Sequence, residues 1–376
     1  MKQFHFILVF LFLLRLSLFA QEANSIFIYG KLKETENVSI PFASIAISES
    51  SRGTAANENG DFVIKLESDS YSKRLNISCI GYHSKSFAID SLIKLSKSDF
   101  VFFLEPEILS LNEVVIAEKK SDASEIIKNA IENVSNNYYQ PPFNLELHSS
   151  ILTNNPGANN EFQVESILIG FYDGYFPNSK KKFDILEVRK IGTDPLMEIR
   201  YGYWPSFEIY QADVIMNQFK SGVFNLENLK HFEFEFTEVT IYEKDTVFNI
   251  EYFAPKPSKK ITGYGTIPKF YKGNIFININ DFAVVKHSIS TEVFSYHIIY
   301  KKFNQYYFPY YISGLRVNTF KINGVEKEFR ILNNIVVNKI IIEKTASIKD
   351  NSNEHDINKV KFNKIFWDKN FPLKSK

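Results

Sequence analysis

The chain has 376 residues, 44% of them hydrophobic and 15% aromatic, with 36 Phe and 20 Tyr. That length suits two or three domains with real cores, and the aromatic load favours half-buried sheet faces. A formal net charge of +1 excludes the electrostatic footprint of a nucleic-acid binder or of a protein drawn to an anionic membrane surface.

From the N-terminus, Lys2 followed by the apolar run 6–14 reads as a secretory signal, too short to span a bilayer. Residues 1–20 are the expected signal peptide, with Ala20-Gln21 as the cut. Arg15 stands late and Leu18 is large for its place before the cut, so an uncleaved anchor is the alternative. Loss of Lys2 and Arg15 would leave 42 basic against 43 acidic groups. No second long apolar stretch follows, so no transmembrane helix is expected in the mature chain. The single cysteine, Cys79, excludes an internal disulfide, a lipid-attachment motif at the cut and a multi-cysteine zinc site. Its place in an alternating apolar run makes it a small buried hydrophobe.

Residues 24–106 read as short strands joined by turns. The first covers 25–33. Ala43, Ile45 and Ile47 then alternate with more polar neighbours. Asn59-Gly60 is a hairpin signal, followed by a strand over 62–66. Leu75, Ile77 and Cys79 alternate with Arg74, Asn76 and Ser78. Gly81 breaks that run, and strands over 82–89 and 100–104 close the set before Pro106. Six or seven strands at this spacing make a β-sandwich.

The stretches Gly30-Lys31-Leu32, Pro41-Phe42-Ala43-Ser44, Arg52-Gly53-Thr54-Ala55, Asn59-Gly60-Asp61-Phe62 and Ile80-Gly81-Tyr82 resemble the carboxypeptidase regulatory-like domain. This is a transthyretin-like sandwich of secreted and outer-membrane proteins in Bacteroidetes-type bacteria. The resemblance implies an accessory module of the cell envelope and points away from catalysis.

Residues 107–121 form a connector containing Asn112-Glu113-Val114-Val115-Ile116. It resembles the segment before the plug of TonB-dependent transporters, but too little chain follows for a plug and a large barrel. Residues 122–346 form the second domain, which opens on one amphipathic helix over 122–137. There Ile126, Ile127, Ala130, Ile131 and Val134 share a face, and Asp122 and Glu125 form a capping pair. The helix must lay its apolar stripe on a sheet. Strands follow: Phe232, Phe234 and Phe236 alternate with Glu233 and Glu235, and 243–246 is a hairpin turn. The stretch 271–285 resembles a hairpin of lipoprotein-carrier-like open barrels, in which a curved antiparallel sheet wraps a helix. Asn323-Gly324 marks another hairpin. The polar end, 347–376, is expected to be loose. The fold class is thus mainly β: an N-terminal β-sandwich, one amphipathic helix and a curved, open-barrel-like antiparallel sheet.

No residue of the sequence reads as catalytic, cofactor-binding or metal-ligating. There is no Gly-x-Ser-x-Gly. The histidines beyond residue 20 (His83, His148, His231, His287, His297 and His355) form no His-Glu-x-x-His or His-x-His. Glu146 and His148 share a strand face and read as a solvated rim pair, with a metal site as the alternative if a third ligand joins. Residues 57–61 read as a turn, because a calcium loop would need carboxylates where Ala55 and Leu66 stand. Gly263-Tyr264-Gly265 reads as an ordinary loop. The basic runs 180–182 and 259–260 read as solvated loops, with phosphate or lipid headgroups as the alternative. The aromatic block 306–311 fills a sheet core or forms a groove wall.

These readings converge on a non-enzymatic, exported envelope protein, periplasmic or outer-membrane associated, acting as a binding or scaffold module. Its expected partners are an envelope protein or a lipid or other apolar ligand in the C-terminal sheet; no cofactor and no nucleic acid are expected. The alternatives are an envelope hydrolase using acids such as Glu161, Glu165 and Asp173 in a cleft, and an accessory subunit of an outer-membrane transporter.

Overall fold

The computed structural model describes residues 26–107 except 51, 58 and 96–98, residues 123–348 except 155–160, 193–204, 264–266 and 323, and residues 357–371. The expected signal, nearly all of the connector and the Asp122 cap lie outside the described residues.

Period-two burial builds the first module. In one sheet, β1 (Ile26–Thr35) pairs antiparallel with β2 (Val38–Ser39) and β5 (Asp61–Leu66), and parallel with β8 (Asp99–Phe103). The other sheet runs in the order β4 (Gly53–Ala55), β3 (Ser44–Ile47), β6 (Arg74–Ser78), β7 (Lys85–Ala88). Phe62, Ile64 and Leu66 from the first meet Ile45, Leu75 and Ile77 from the second in one buried cluster, as a sandwich requires. Two details differ from the sequence reading. Asn59-Gly60 leads from one sheet to the other and makes no hairpin; the Asn57 side chain accepts from the Asn59 and Asp61 amides at 2.9 Å. Ile89–Lys94 is a helix, because Ile89 and Leu92, three apart, both bury.

The second unit is a ten-stranded antiparallel sheet. Its strands are β9 (Phe143–Asn154), β10 (Glu161–Tyr172), β11 (Lys181–Ile191), β12 (Glu233–Tyr242), β13 (Asp245–Phe253), β14 (Lys272–Asn278), β15 (Val284–Ser290), β16 (Phe294–Phe303), β17 (Tyr306–Ile322) and β18 (Val325–Ile341). The order is β11-β10-β9-β18-β17-β16-β15-β14-β13-β12. Sequence neighbours lie side by side except at the β9–β18 pairing, which joins the start of the domain to its end. The outer strands β11 and β12 do not pair with each other, so the sheet stays open.

Helices cover one face. Ala123–Glu132 buries Ile126, Ile127, Ala130 and Ile131. It breaks at Asn133, whose side chain donates to the Asn129 carbonyl at 2.9 Å, a local bond that competes with the helical ladder. Val134–Asn137 follows. Pro205–Ala212 and Val214–Asn217 lie on the same face and were not legible as helices. Their anchors are polar: the Tyr300 hydroxyl donates to Asp213 Oδ1 at 2.9 Å, and Arg316 meets Glu208 at 2.6 Å.

The sandwich docks on the opposite face. Ile299 opposes Tyr311 and Tyr300 opposes Pro309, leaving Tyr310 as an extra residue. Such a bulge suspends strict alternation, and both Tyr310 and Tyr311 reach the sandwich. The Tyr310 hydroxyl shares its proton between Ile45 O at 2.7 Å and Thr54 O at 2.8 Å, and Tyr311 lies beside Phe42. Phe42 also stacks on His297, with ring centres 5.1 Å apart. The Gly81 amide donates to Ile241 O at 3.0 Å on β12. The aromatic block thus supplies core and docking surface together: Tyr307, Phe308, Tyr310 and Tyr311 are all buried. Cys79 is only partly buried and faces this junction, where burial pushes its thiol pKa up.

The C-terminal segment departs from the loose tail expected from 347 onward. Lys364–Asn370 forms a helix capped by Asn363, and its Trp367 is fully buried. The polar composition hid an aromatic anchor, Trp367, seconded by Phe371 against His148. Among the described residues no helix is long and apolar enough to cross a membrane.

Candidate functional site

A pocket of about 440 Å³ remains on the helix-covered face, in the size range of small-molecule sites. Its walls come from the loop between β10 and β11, the helical segment 205–217, the loop 219–223 and the short helix Lys259–Thr262. Tyr271, His287 and Ile289 close it from the sheet side, while Val214, Met216 and Val223 add apolar surface. Phe176 and Phe219 also line it and are exposed large apolar side chains.

Local chemistry fixes these walls. Ser258 caps Lys259–Thr262 by accepting from the Ile261 amide at 3.3 Å, and Gly263 ends the helix at φ 74°. A Cβ at Gly263 would stand 2.3 Å from Ser221 Oγ, so only glycine permits both the left-handed turn and the close approach. The Gly222 amide donates to Ile261 O at 2.7 Å, stitching the two loops together.

The charge around the pocket is one-sided. Lys181, Lys220, Lys259 and Lys260 line it, and no Asp or Glu does. Lys181 is buried, with its ammonium 3.5 Å from Asp213 and above the rings of Tyr172 and Tyr210. Burial lowers its pKa to about 8, an effect that Asp213 opposes. His287 is buried, and its Nε2 lies 2.8 Å from the Tyr252 hydroxyl. Burial first, and neighbouring His297 second, lower its pKa to about 3. Burial likewise lowers His297 to about 4.

Those two histidines set an acid limit. An unfolded histidine takes up a proton near pH 6.5, whereas in the fold both stay neutral down to about 4 and 3. Between those limits the unfolded state binds more protons, so stability is fully present above about pH 6.5 and is lost as pH falls. Urea midpoints should therefore drop steadily from pH 6.5 to 4. A His287→Gln variant should show a shallower slope over that range; an unchanged slope would contradict the assignment.

The other residues singled out from the sequence go elsewhere. Glu146 and His148 do share a face, on the wall of a second cleft of about 680 Å³ beside the sandwich and the C-terminal helix. Among the described residues no group of three or more His, Cys, Asp or Glu side chains is placed to hold a metal. Glu165 pairs with Arg189, whose Nε donates at 2.6 Å, and lies 3.6 Å from His148. Burial raises its pKa, but His148 and Arg189 together more than offset this and hold it below the ordinary value. Asp173 stands eight residues further along the same run of chain, about 26 Å away at roughly 3.3 Å per residue. The structure therefore does not gather Glu165 and Asp173 into one cleft, and the side chain of Glu161 lies outside the description. Charges in the second cleft also cancel: Arg52 meets Glu67 at 2.6 Å and Asp69 at 2.5 Å.

The two basic runs, by contrast, are brought together. Lys181 and the pair Lys259-Lys260 share the first pocket, whereas Lys182 turns away, its Nζ donating to Ile348 O at 3.5 Å. Lys220 and Met216 carried no signal of their own in the sequence, while Tyr271 stood out only as the start of a hairpin stretch and His287 only as one of several histidines.

Comparison with known proteins bears on the N-terminal module. Residues 28–116 match the model of the CarboxypepD_reg-like domain, so this module is a carboxypeptidase regulatory-like domain. No curated protein matches the chain. Among solved structures it is similar to an outer membrane lipoprotein-sorting protein domain from Vibrio parahaemolyticus, at 8% identity and a TM-score of 0.29, covering 60% of this chain and 95% of that one. A LolA superfamily protein from Nitrosomonas europaea follows at 10% identity and 0.24, covering 61% and 95%. A DUF1329 family protein from Desulfovibrio piger gives 8% and 0.28, covering 60% and 94%. At such scores the likeness carries no weight for function.

Proposed function

We propose that this chain is a non-enzymatic, exported envelope protein that holds an apolar ligand in the pocket between its sheet and helices. The pocket itself carries the reading: a preformed recess with Val214, Met216, Val223 and Ile289 in its wall and exposed Phe176 and Phe219 among its lining residues. Burying a ligand's apolar surface there is favourable by about 25 cal/mol per Å². The soft, unbranched Met216 suits ligands of varied shape. The sandwich, docked on the other face, leaves this recess clear and acts as the mount to a partner in the envelope. The apolar run 6–14 and the carboxypeptidase regulatory-like module support export.

Native purification, organic extraction and mass spectrometry test this directly. A co-purifying lipid or other amphiphile is expected at near-stoichiometric amount, and an Ile289→Trp variant that fills the recess should lose it. A folded wild-type protein that carries no such molecule and fails to take up dodecanol would end the proposal.

A further inference from the structure

We infer that the ligand is an anionic amphiphile, with an apolar tail among Met216, Val223 and Ile289 and a carboxylate or phosphate head held by Lys220, Lys259 and Lys260. This rests on the pocket reading above and narrows it to a charge class.

The lysines come from separate stretches of chain, yet the fold gathers them at one recess. Lys220, Lys259 and Lys260 have no ion-pair or hydrogen-bond partner for their ammonium groups among the described residues, and all are exposed. Several cations elsewhere are answered: Lys301 meets Glu243 at 2.9 Å, Lys85 meets Glu105 at 2.8 Å and Lys31 meets Asp61 at 2.8 Å; what sets the pocket lysines apart is that three unpaired ones share one recess. The whole chain is close to neutral, so this concentration is local and uncompensated. Like charges held together repel, and an anion bound among them relieves that repulsion. Of the four pocket lysines the buried carboxylate of Asp213 meets only Lys181, because it lies behind the wall and not on it. Solvated lysines beside a buried apolar surface match the two ends of an amphiphile: the head stays wet, and the tail gains from burial.

The experiment compares probes that share one chain length. Dodecanoate, dodecyl phosphate, dodecanol and inorganic phosphate are titrated into the full chain at low salt, below the micelle threshold. Both anionic amphiphiles should bind at least tenfold tighter than dodecanol, and added salt should erode the difference. The Lys220→Gln/Lys259→Gln/Lys260→Gln variant should lose that preference by about tenfold, consistent with a few tenths of a kcal/mol to 1 kcal/mol per exposed charge, while dodecanol binding holds. Lengthening the tail should tighten binding by about fourfold per methylene while the recess lasts.

Equal affinity for dodecanol and dodecanoate overturns the charge assignment and leaves the apolar pocket standing. Inorganic phosphate binding as tightly as dodecyl phosphate overturns the amphiphile, since the tail then adds nothing. Binding of none of the four overturns both this inference and the pocket reading.

Discussion

Arg189→Met should destabilise the chain by up to about 3–5 kcal/mol, because it strips the buried Glu165 carboxylate of its guanidinium and leaves it only His148, 3.6 Å away. Arg189 and Glu165 are both nearly inaccessible to solvent, and the guanidinium makes two hydrogen bonds to one oxygen of Glu165. The same guanidinium donates to Phe371 O at 2.6 Å and stacks 4.5 Å above Trp367. Its loss therefore also loosens the C-terminal helix. Urea unfolding should show the drop, and trypsin should cut sooner at exposed Lys364 and Lys369. Adding Glu165→Leu removes the stranded charge and should restore most of the stability. If the double variant were no better than the single one, the cost would lie in the packing of Trp367 and not in the charge.

Gly53→Ala should cost about 3 kcal/mol, from overpacking and broken hydrogen bonds together. A Cβ there would lie 2.0 Å from Tyr310 Oη and 2.6 Å from Ile45 O. The first contact is the junction between sandwich and sheet; the second lies within the sandwich. Tyr310→Phe alone removes the hydroxyl that bridges two carbonyls, which keep their partners in the β3–β4 ladder, at about 0.5–1.5 kcal/mol. Combined with Gly53→Ala it removes the first clash but not the second. The pair should therefore be non-additive, with the double variant more stable than the two single losses imply. Strict additivity would mean that Tyr310 and Gly53 do not meet.

Much of the fold was legible because burial in sheets follows a two-residue period. Ile45, Leu75 and Ile77 in the sandwich, and the 126–134 stripe of the first helix, are buried as their spacing predicts. What escaped was held by isolated polar or aromatic contacts. The segment 205–217 buries Ile209, Ile215 and Met216 in the core and is tied to the sheet by Glu208 and Asp213, which look like solvated acids in sequence. Trp367 pins a tail whose other residues are mostly polar. The bulge at Tyr310 defeated the rule that adjacent strand residues face opposite ways, so the aromatic block could not be assigned to one side. The pocket was half visible: two lysine runs stood out, but their meeting is a matter of topology. Lys220 and His287 join them only because loop 219–223 and β15 end at the same place.

One further consequence follows from how Tyr310 grips its neighbour. Its hydroxyl donates to two main-chain oxygens of the sandwich, which every amino acid carries, with the Ser44 side chain close by. Attachment of this kind is indifferent to what stands at Ile45 or Thr54, provided the backbone path is kept. A different regulatory-like module grafted at the same place would need two such oxygens, a bare α-carbon where Gly53 sits, and counterparts of Ser44, Ser78 and Phe42, which meet Lys301, Glu243 and His297 across the seam.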